Sequence, residues 1–111
     1  MNVAETLDRA CGVIEMLGWR QGNDVGGTTV CAHQAINRAC RATESHEYAF
    51  AMAAVGRALA VDWNYKNGWD ASIIWEWNDT PGRTKEEVLA MFRAVAATER
   101  ARLAEDACAT V

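Results

Sequence analysis

From Val88 onward, apolar residues return with the period of an α-helix: Val88, Leu89, Phe92, Val95 and Ala96 share one face. This is the clearest periodic signal in the chain. A helix with one apolar stripe must bury it against another element, so the chain needs neighbouring helices or a sheet to cover that face. The start is equally well marked. Thr84 with Glu87 three residues on is a capping box, in which each side chain takes an orphan backbone N–H of the other residue. Ahead of it, Asn78-Asp79 and Pro81-Gly82 carry turn chemistry: a side chain that bonds to backbone, a fixed φ at proline and a permissive glycine. The spacing predicts a helix over about Lys85 to Asp106. Glu99 interrupts its apolar face before Leu103 returns to it, so firm docking is expected only as far as about Ala96. The opposite side holds Ala90, Ala94, Ala97, Ala101 and Ala104. These are good helix formers facing water, or small residues through which a homodimer would pack.

Upstream, Val3, Leu7, Ala10, Cys11, Ile14 and Leu17 recur at helical spacing and predict a first helix over 3–17. Gly18 stands where a left-handed cap would end it. Gly12, costly within a helix, marks a candidate close crossing. Residues 19–29 are dense in turn formers, with β-prone Thr28-Thr29-Val30 at the end. A short β-hairpin around Asn23-Asp24 is therefore expected. Thr28 or Thr29 would cap a second helix over about Val30 to Arg41, whose apolar face is small (Cys31, Ala32, Ala35, Ile36, Ala39). A third helix is expected from Ser45 to about Ala60. It has no charge between Tyr48 and Gly56, which predicts a central, buried helix. Residues 62–70 form the longest irregular connection. Ala71–Trp77 is open between helix and strand because Ile73 and Ile74 are β-branched. The fold class is mainly α: a compact bundle of about four helices with a short β-hairpin between the first two.

Composition narrows the function classes. At 111 residues, with half of them hydrophobic, the chain is expected to form a single domain over 1–111. The net charge of −4 is spread evenly: residues 1–55 hold four basic and six acidic side chains, the remainder seven and nine. No basic stripe is available for phosphates, which disfavours nucleic acid. No run approaches the roughly 18 apolar residues of a membrane span, and Met1 leads into a polar, acidic helix rather than a signal peptide. A cytoplasmic protein is expected.

Cys11, Cys31, Cys40 and Cys108 show no C-x-x-C pairing. A zinc site from Cys31, His33, Cys40 and His46 fails on geometry, since the two cysteines would face opposite sides of one helix. Cys31 is the only nucleophile candidate. His33, two positions on, points about 200° away from it on a helix and cannot serve as its base. Gln21, Cys31 and Lys66-Asn67-Gly68-Trp69 resemble papain-like thiol peptidases only in outline. Gln21 lies too far upstream, and neither His33 nor His46 follows that order. The loop Gly22–Thr29 ahead of a helix is a loose anion-binding arrangement without a P-loop lysine, and it supports a nucleotide-binding alternative. No cofactor or metal is expected.

The five tryptophans (Trp19, Trp63, Trp69, Trp75, Trp77) all fall outside the long helices. They either lid the core or form a binding patch. The Pro-Gly turn is expected to keep Asp79 and Arg83 at the surface beside them. The candidate binding residues are Trp75, Trp77, Asn78, Asp79, Arg83, Trp19 and Gln21.

The order Gly18-Trp19-x-Gln21-Gly22, Val30-Cys31-Ala32, then Trp77-Asn78-Asp79-x-Pro81-Gly82-Arg83-Thr84-x-Glu86-Glu87-Val88 resembles a small uncharacterised family of actinobacteria and their phages. The resemblance runs from about Leu7 to about Ala97. His33-Gln34 stands where that pattern has a small aliphatic pair, and the run before Asn78 is longer and richer in tryptophan. The family implies no activity. It implies a small phage or actinobacterial protein, and with the loop-borne tryptophans the expected role is non-enzymatic binding of another protein, one of the host. The alternatives are sequestration of a nucleotide-like ligand and, third, a thiol enzyme using Cys31.

Overall fold

The computed structural model describes residues 1–22, 27–40, 45–63 and 71–109. Among them are five helices: α1 (Val3–Leu17), α2 (Ala32–Ala39), α3 (Ser45–Trp63), α4 (Ala71–Asn78) and α5 (Lys85–Ala109). The described residues are mainly helical as expected, but with one helix more than the four the periodicity supports.

Helix α1 opens on a reciprocal box that periodicity alone missed. Asn2 Oδ1 accepts from the Glu5 N–H at 2.8 Å and Glu5 Oε1 accepts from the Asn2 N–H at 3.1 Å. Leu7, Ala10 and Ile14 are fully buried along its inner face. Gly18 ends the helix at φ +88°, its N–H donating to the Ile14 carbonyl at 2.8 Å. A Cβ there would lie 3.1 Å from Thr29 Cγ2, so both the φ and the space call for glycine. Gly12, by contrast, is exposed, and a Cβ on it would meet nothing within 4 Å. Among the described residues no helix crosses closely at Gly12, contrary to what its place in the sequence suggests.

Beyond Gly18 the chain pairs with the residues that lead into α2. The Arg20 N–H donates to Val30 O at 3.0 Å and the Val30 N–H to Gly18 O at 2.9 Å. This is a single parallel bridge between Trp19 and Val30, not an antiparallel hairpin. The Asn23-Asp24 turn lies outside the described residues. The bridge also corrects the start of the second helix. Val30 is held extended, so the helix begins at Ala32, and Cys31 rather than a threonine is its N-cap. The Cys31 thiol sulfur accepts from the Gln34 N–H at 3.4 Å, and Gln34 Oε1 accepts from the Cys31 N–H at 3.2 Å.

Helix α3 packs against all four other helices, as a central helix should, while α1 makes the broadest seams, with α5 and α2. The uncharged run on α3 is largely alanine, and its lack of charge does not make it buried all round. Ala51, Met52 and Val55 are buried, while Ala49 is exposed and Phe50 is 62% exposed. The helix runs on to Trp63, and the rest of the expected irregular connection, residues 64–70, lies outside the described residues, as do Trp69 and the side chain of Trp63.

Residues 71–78 are helical, because Ile73 and Ile74 are both fully buried on one side of a short helix packed on α3 and α2. Trp75 and Trp77 therefore diverge, at 47% and 8% exposure. Helix α5 is docked as its face predicts. Val88 and Phe92 are fully buried and Ala96 is 1% exposed, but residues 97–107 are exposed apart from half-buried Glu99. Its 25 residues span about 37 Å, so the last turns stand clear of the bundle.

Candidate functional site

The stretch that joins α4 to α5 satisfies its own backbone closely. Four carbonyls at a helix end have no partner within the helix. In α4, Trp75 O accepts from the Asp79 N–H at 2.9 Å and Glu76 O from the Thr80 hydroxyl at 3.0 Å. Trp77 O accepts from the Thr80 N–H at 3.3 Å and Arg83 Nε at 3.0 Å, and Asn78 O from Gln21 Nε2 at 3.2 Å. Thr80 to Arg83 then closes a turn through the Arg83 N–H to Thr80 O bond, 3.0 Å, with Gly82 at φ +83°. The capping box follows as expected: Thr84 Oγ1 accepts from the Glu87 N–H at 3.2 Å, and Glu87 Oε1 accepts from the Thr84 N–H at 3.0 Å. The Thr84 N–H bond, with its hydroxyl and Arg83 adding to it, holds the Glu87 carboxyl below its ordinary pKa.

Asn78 is the node of this region. Its side chain is fully buried, and its amide uses every direction open to it. Oδ1 accepts from Trp19 Nε1 at 2.6 Å and from the Ala32 N–H at 2.9 Å, while Nδ2 donates to Arg20 O at 3.2 Å and Asp79 Oδ1 at 3.1 Å. Asp79 Oδ1 also accepts from the Gly22 N–H at 2.8 Å, and Gln21 Nε2 donates to Thr80 O at 2.7 Å. Four of the candidate residues, Trp19, Gln21, Asn78 and Asp79, thus meet in one polar junction. It ties the strap after α1 and the start of α2 to the end of α4. Two N–H groups at the α2 start that an anion would use, those of Ala32 and Gln34, are already bonded.

Arg83 and Trp77 pair separately. The guanidinium lies 4.0 Å above the indole ring, donates to Trp77 O, and bonds Glu87 Oε2 at 3.0 Å. The Arg83 side chain is only 14% exposed, so the turn does not hold it at the surface as its sequence context suggests. Asp79 is exposed, although its carboxylate is engaged.

Trp75 faces away and joins a second aromatic group. Its ring lies 4.7 Å from His33, whose Nε2 is 2.8 Å from the Tyr48 hydroxyl in an edge-to-face contact. Burial lowers the His33 pKa and raises that of Tyr48. His33 is therefore committed to Tyr48, and Cys31 to its own helix cap. Cys11, against Leu89 O, and Cys40 have thiol pKa values raised chiefly by burial, the opposite of an activated nucleophile. Among the described residues, no group of three or more His, Cys, Asp or Glu is placed to hold a metal ion.

A large concavity lies elsewhere, along the seam between α3 and α5. Its main recess holds about 460 Å³, with Trp77, Leu59 and Val95 along its base and Ala54, Ala58 and Ala94 among its walls. A second recess of about 280 Å³ continues it past Phe50 and Leu103. Arg57, Ala54 and Glu99 line both. Arg57 is exposed and makes no hydrogen bond or ion pair with the described residues, whereas Glu99 is bound to Arg102 at 2.8 Å. Of the candidate residues, only Trp77 lines this groove. Sequence reading missed the rest, because the lining is drawn from α3, α5, Trp77 of α4 and the start of α1, and no single periodicity shows where these splay.

No curated protein and no solved structure matches the chain. A family model does match, over residues 1–98, a span that contains the Asn78 junction and ends close to where α5 leaves the bundle. The chain belongs to that family, a family of unknown function (DUF6197).

Proposed function

We propose that this protein is a small non-enzymatic binding protein of phage or actinobacterial type, acting in the cytoplasm on another protein, one of the host. The observation that carries this reading is the α3–α5 groove, an open apolar recess flanked by exposed Phe50, Val61 and Leu103 at 62%, 81% and 41% exposure. Exposed apolar side chains beside a concave surface mark interaction sites on proteins of this size. The groups that chemistry would need are spent elsewhere: Cys31 in a helix cap, His33 on Tyr48, Asn78 in a saturated junction. In this reading Trp77 forms part of the contact surface and Arg83 braces it. Trp19, Gln21, Asn78 and Asp79 keep α4 in place, and Trp75 offers a smaller contact on the far side. No helix among the described residues is long and apolar enough to cross a membrane.

A photo-crosslinking side chain at Met91, inside the groove, tests this in the native host. One protein adduct is expected there and none from the same probe at Met16, an exposed position on α1. Equal labelling from both positions would remove the groove from the argument. A co-purifying small molecule in native mass spectrometry, with no protein adduct, would favour the ligand-binding alternative. Sedimentation of the pure protein separates either result from a homodimer through the exposed alanine side of α5, which Ala97→Glu would dissociate.

A further inference from the structure

The two recesses between α3 and α5 act as one trough, and its dimensions and charge specify an occupant. Phe50 and Val61 are exposed, line opposite recesses, and stand eleven residues apart on α3. At about 1.5 Å per residue that separation is roughly 16 Å, three helical turns. We infer that the trough receives an amphipathic α-helix of the partner, about three turns long, with an acidic residue placed to pair with Arg57. This rests on the protein-binding reading above and deepens it.

Four observations support a helix with an acid. A helix presents apolar side chains at i, i+4, i+7 and i+11, which matches the length from Phe50 to Val61. The walls carry alanines on both sides, Ala54 and Ala58 on α3 and Ala94 on α5, so a helix backbone can approach closely. An extended peptide has less to gain, because the described residues form no strand whose edge it would extend. The charge is also one-sided. Arg57 borders both recesses without a partner among the described residues. Glu99 is taken by Arg102, and Glu47 by the Met1 amino group at 2.6 Å. A basic helix would meet an uncompensated guanidinium, whereas a carboxylate would form a charge-assisted hydrogen bond beside apolar walls.

The probe is a library of 14-residue peptides held helical by an i,i+4 staple, selected against the full chain. Enriched sequences are expected to carry apolar residues at i, i+4, i+7 and i+11 and an Asp or Glu beside them. The selected peptide should lose at least about tenfold in affinity on Arg57→Glu and regain most of it when its own acid becomes lysine. Arg57 is exposed and bonds to none of the described residues, so this variant is expected to fold as the wild type does. Selected peptides without an acid, or indifference to the charge swap, would overturn the inference. So would a dimer of the protein alone that Val61→Asp abolishes, since the trough would then hold a second copy. A protein crosslinked at Met91 while no helix is selected sinks this inference and leaves the protein-binding reading standing.

Discussion

The two flanks of α5 are built from the same helix and behave in opposite ways. On the α1 flank, Val88, Phe92 and Ala96 belong to the core with Leu7 and Ile14, and Arg93–Glu15 and Arg100–Asp8 pairs fringe the seam. On the α3 flank, Met91 is half-buried and Ala94 exposed, and a groove of about 460 Å³ stays open. The difference is side-chain volume. Large residues from both helices fill the first seam, whereas along the second Ala54, Ala58 and Ala94 leave a gap between the larger lining residues. One flank holds the fold together, and the other stays open.

That contrast can be tested from its strongest element downward. Phe92→Ala should cost about 3–5 kcal/mol in denaturant unfolding, since it empties the middle of the closed seam. A loss under about 1 kcal/mol would mean that α5 is not held by its α1 flank. Asn78→Ala should cost about 2–3 kcal/mol, because it strands the buried donors of Trp19 and the Ala32 amide together. Trp19→Phe, which removes only one of those donors, should cost less; the reverse order would show that the junction is not centred on Asn78. Thr84→Ala should cost about 1 kcal/mol through the loss of a helix cap.

Acid supplies a subtler test on the far side of α4. Burial depresses the folded pKa of His33 below its ordinary value of about 6.5. The unfolded chain therefore binds this proton more readily than the folded one. The contribution of neutral His33 is fully present above about pH 6.5 and is lost as pH falls from there through the lower folded pKa. His33→Gln should flatten the stability profile in that window, and an unchanged profile would mean that His33 titrates freely. The smallest effect belongs to the open flank. Val61→Asp should change stability by no more than about 0.5 kcal/mol, because the side chain is 81% exposed. A larger loss would make the α3–α5 groove part of the fold's support.

Much of the α5 story is written locally. The Thr84–Glu87 box, the face from Val88 to Ala96 and the break at Glu99 involve residues within a few turns of one another, and all three are realised. Helix α1 was legible for the same reason, from its spacing and the glycine that ends it. The features that differ from these local expectations depend on distant parts of the chain. Val30 cannot begin α2 because it bonds to Gly18, and α3 is not buried all round because Ala49 and Phe50 are left without a covering element among the described residues. Neither fact leaves a mark within the segment it governs.

The Asn78 stretch shows where the division falls. Its turn residues, its proline and its glycine determined by themselves that a helix would stop and another start there, since φ preferences and caps act over three or four residues. Whether Ala71–Asn78 would be helix or strand, and so whether Trp75 and Trp77 would share a face, was decided by the burial of Ile73 and Ile74. Asn78 became a buried node because its partners Trp19 and Ala32 lie 59 and 46 residues away. The groove arises in the same way. Its lining comes mainly from α3 and α5, with Trp77 of α4 and the start of α1, and their separation depends on how the larger side chains pack elsewhere. Local sequence sets backbone preference within a turn or two; which surfaces meet, and which stay open, is a property of volumes that only the folded chain brings together.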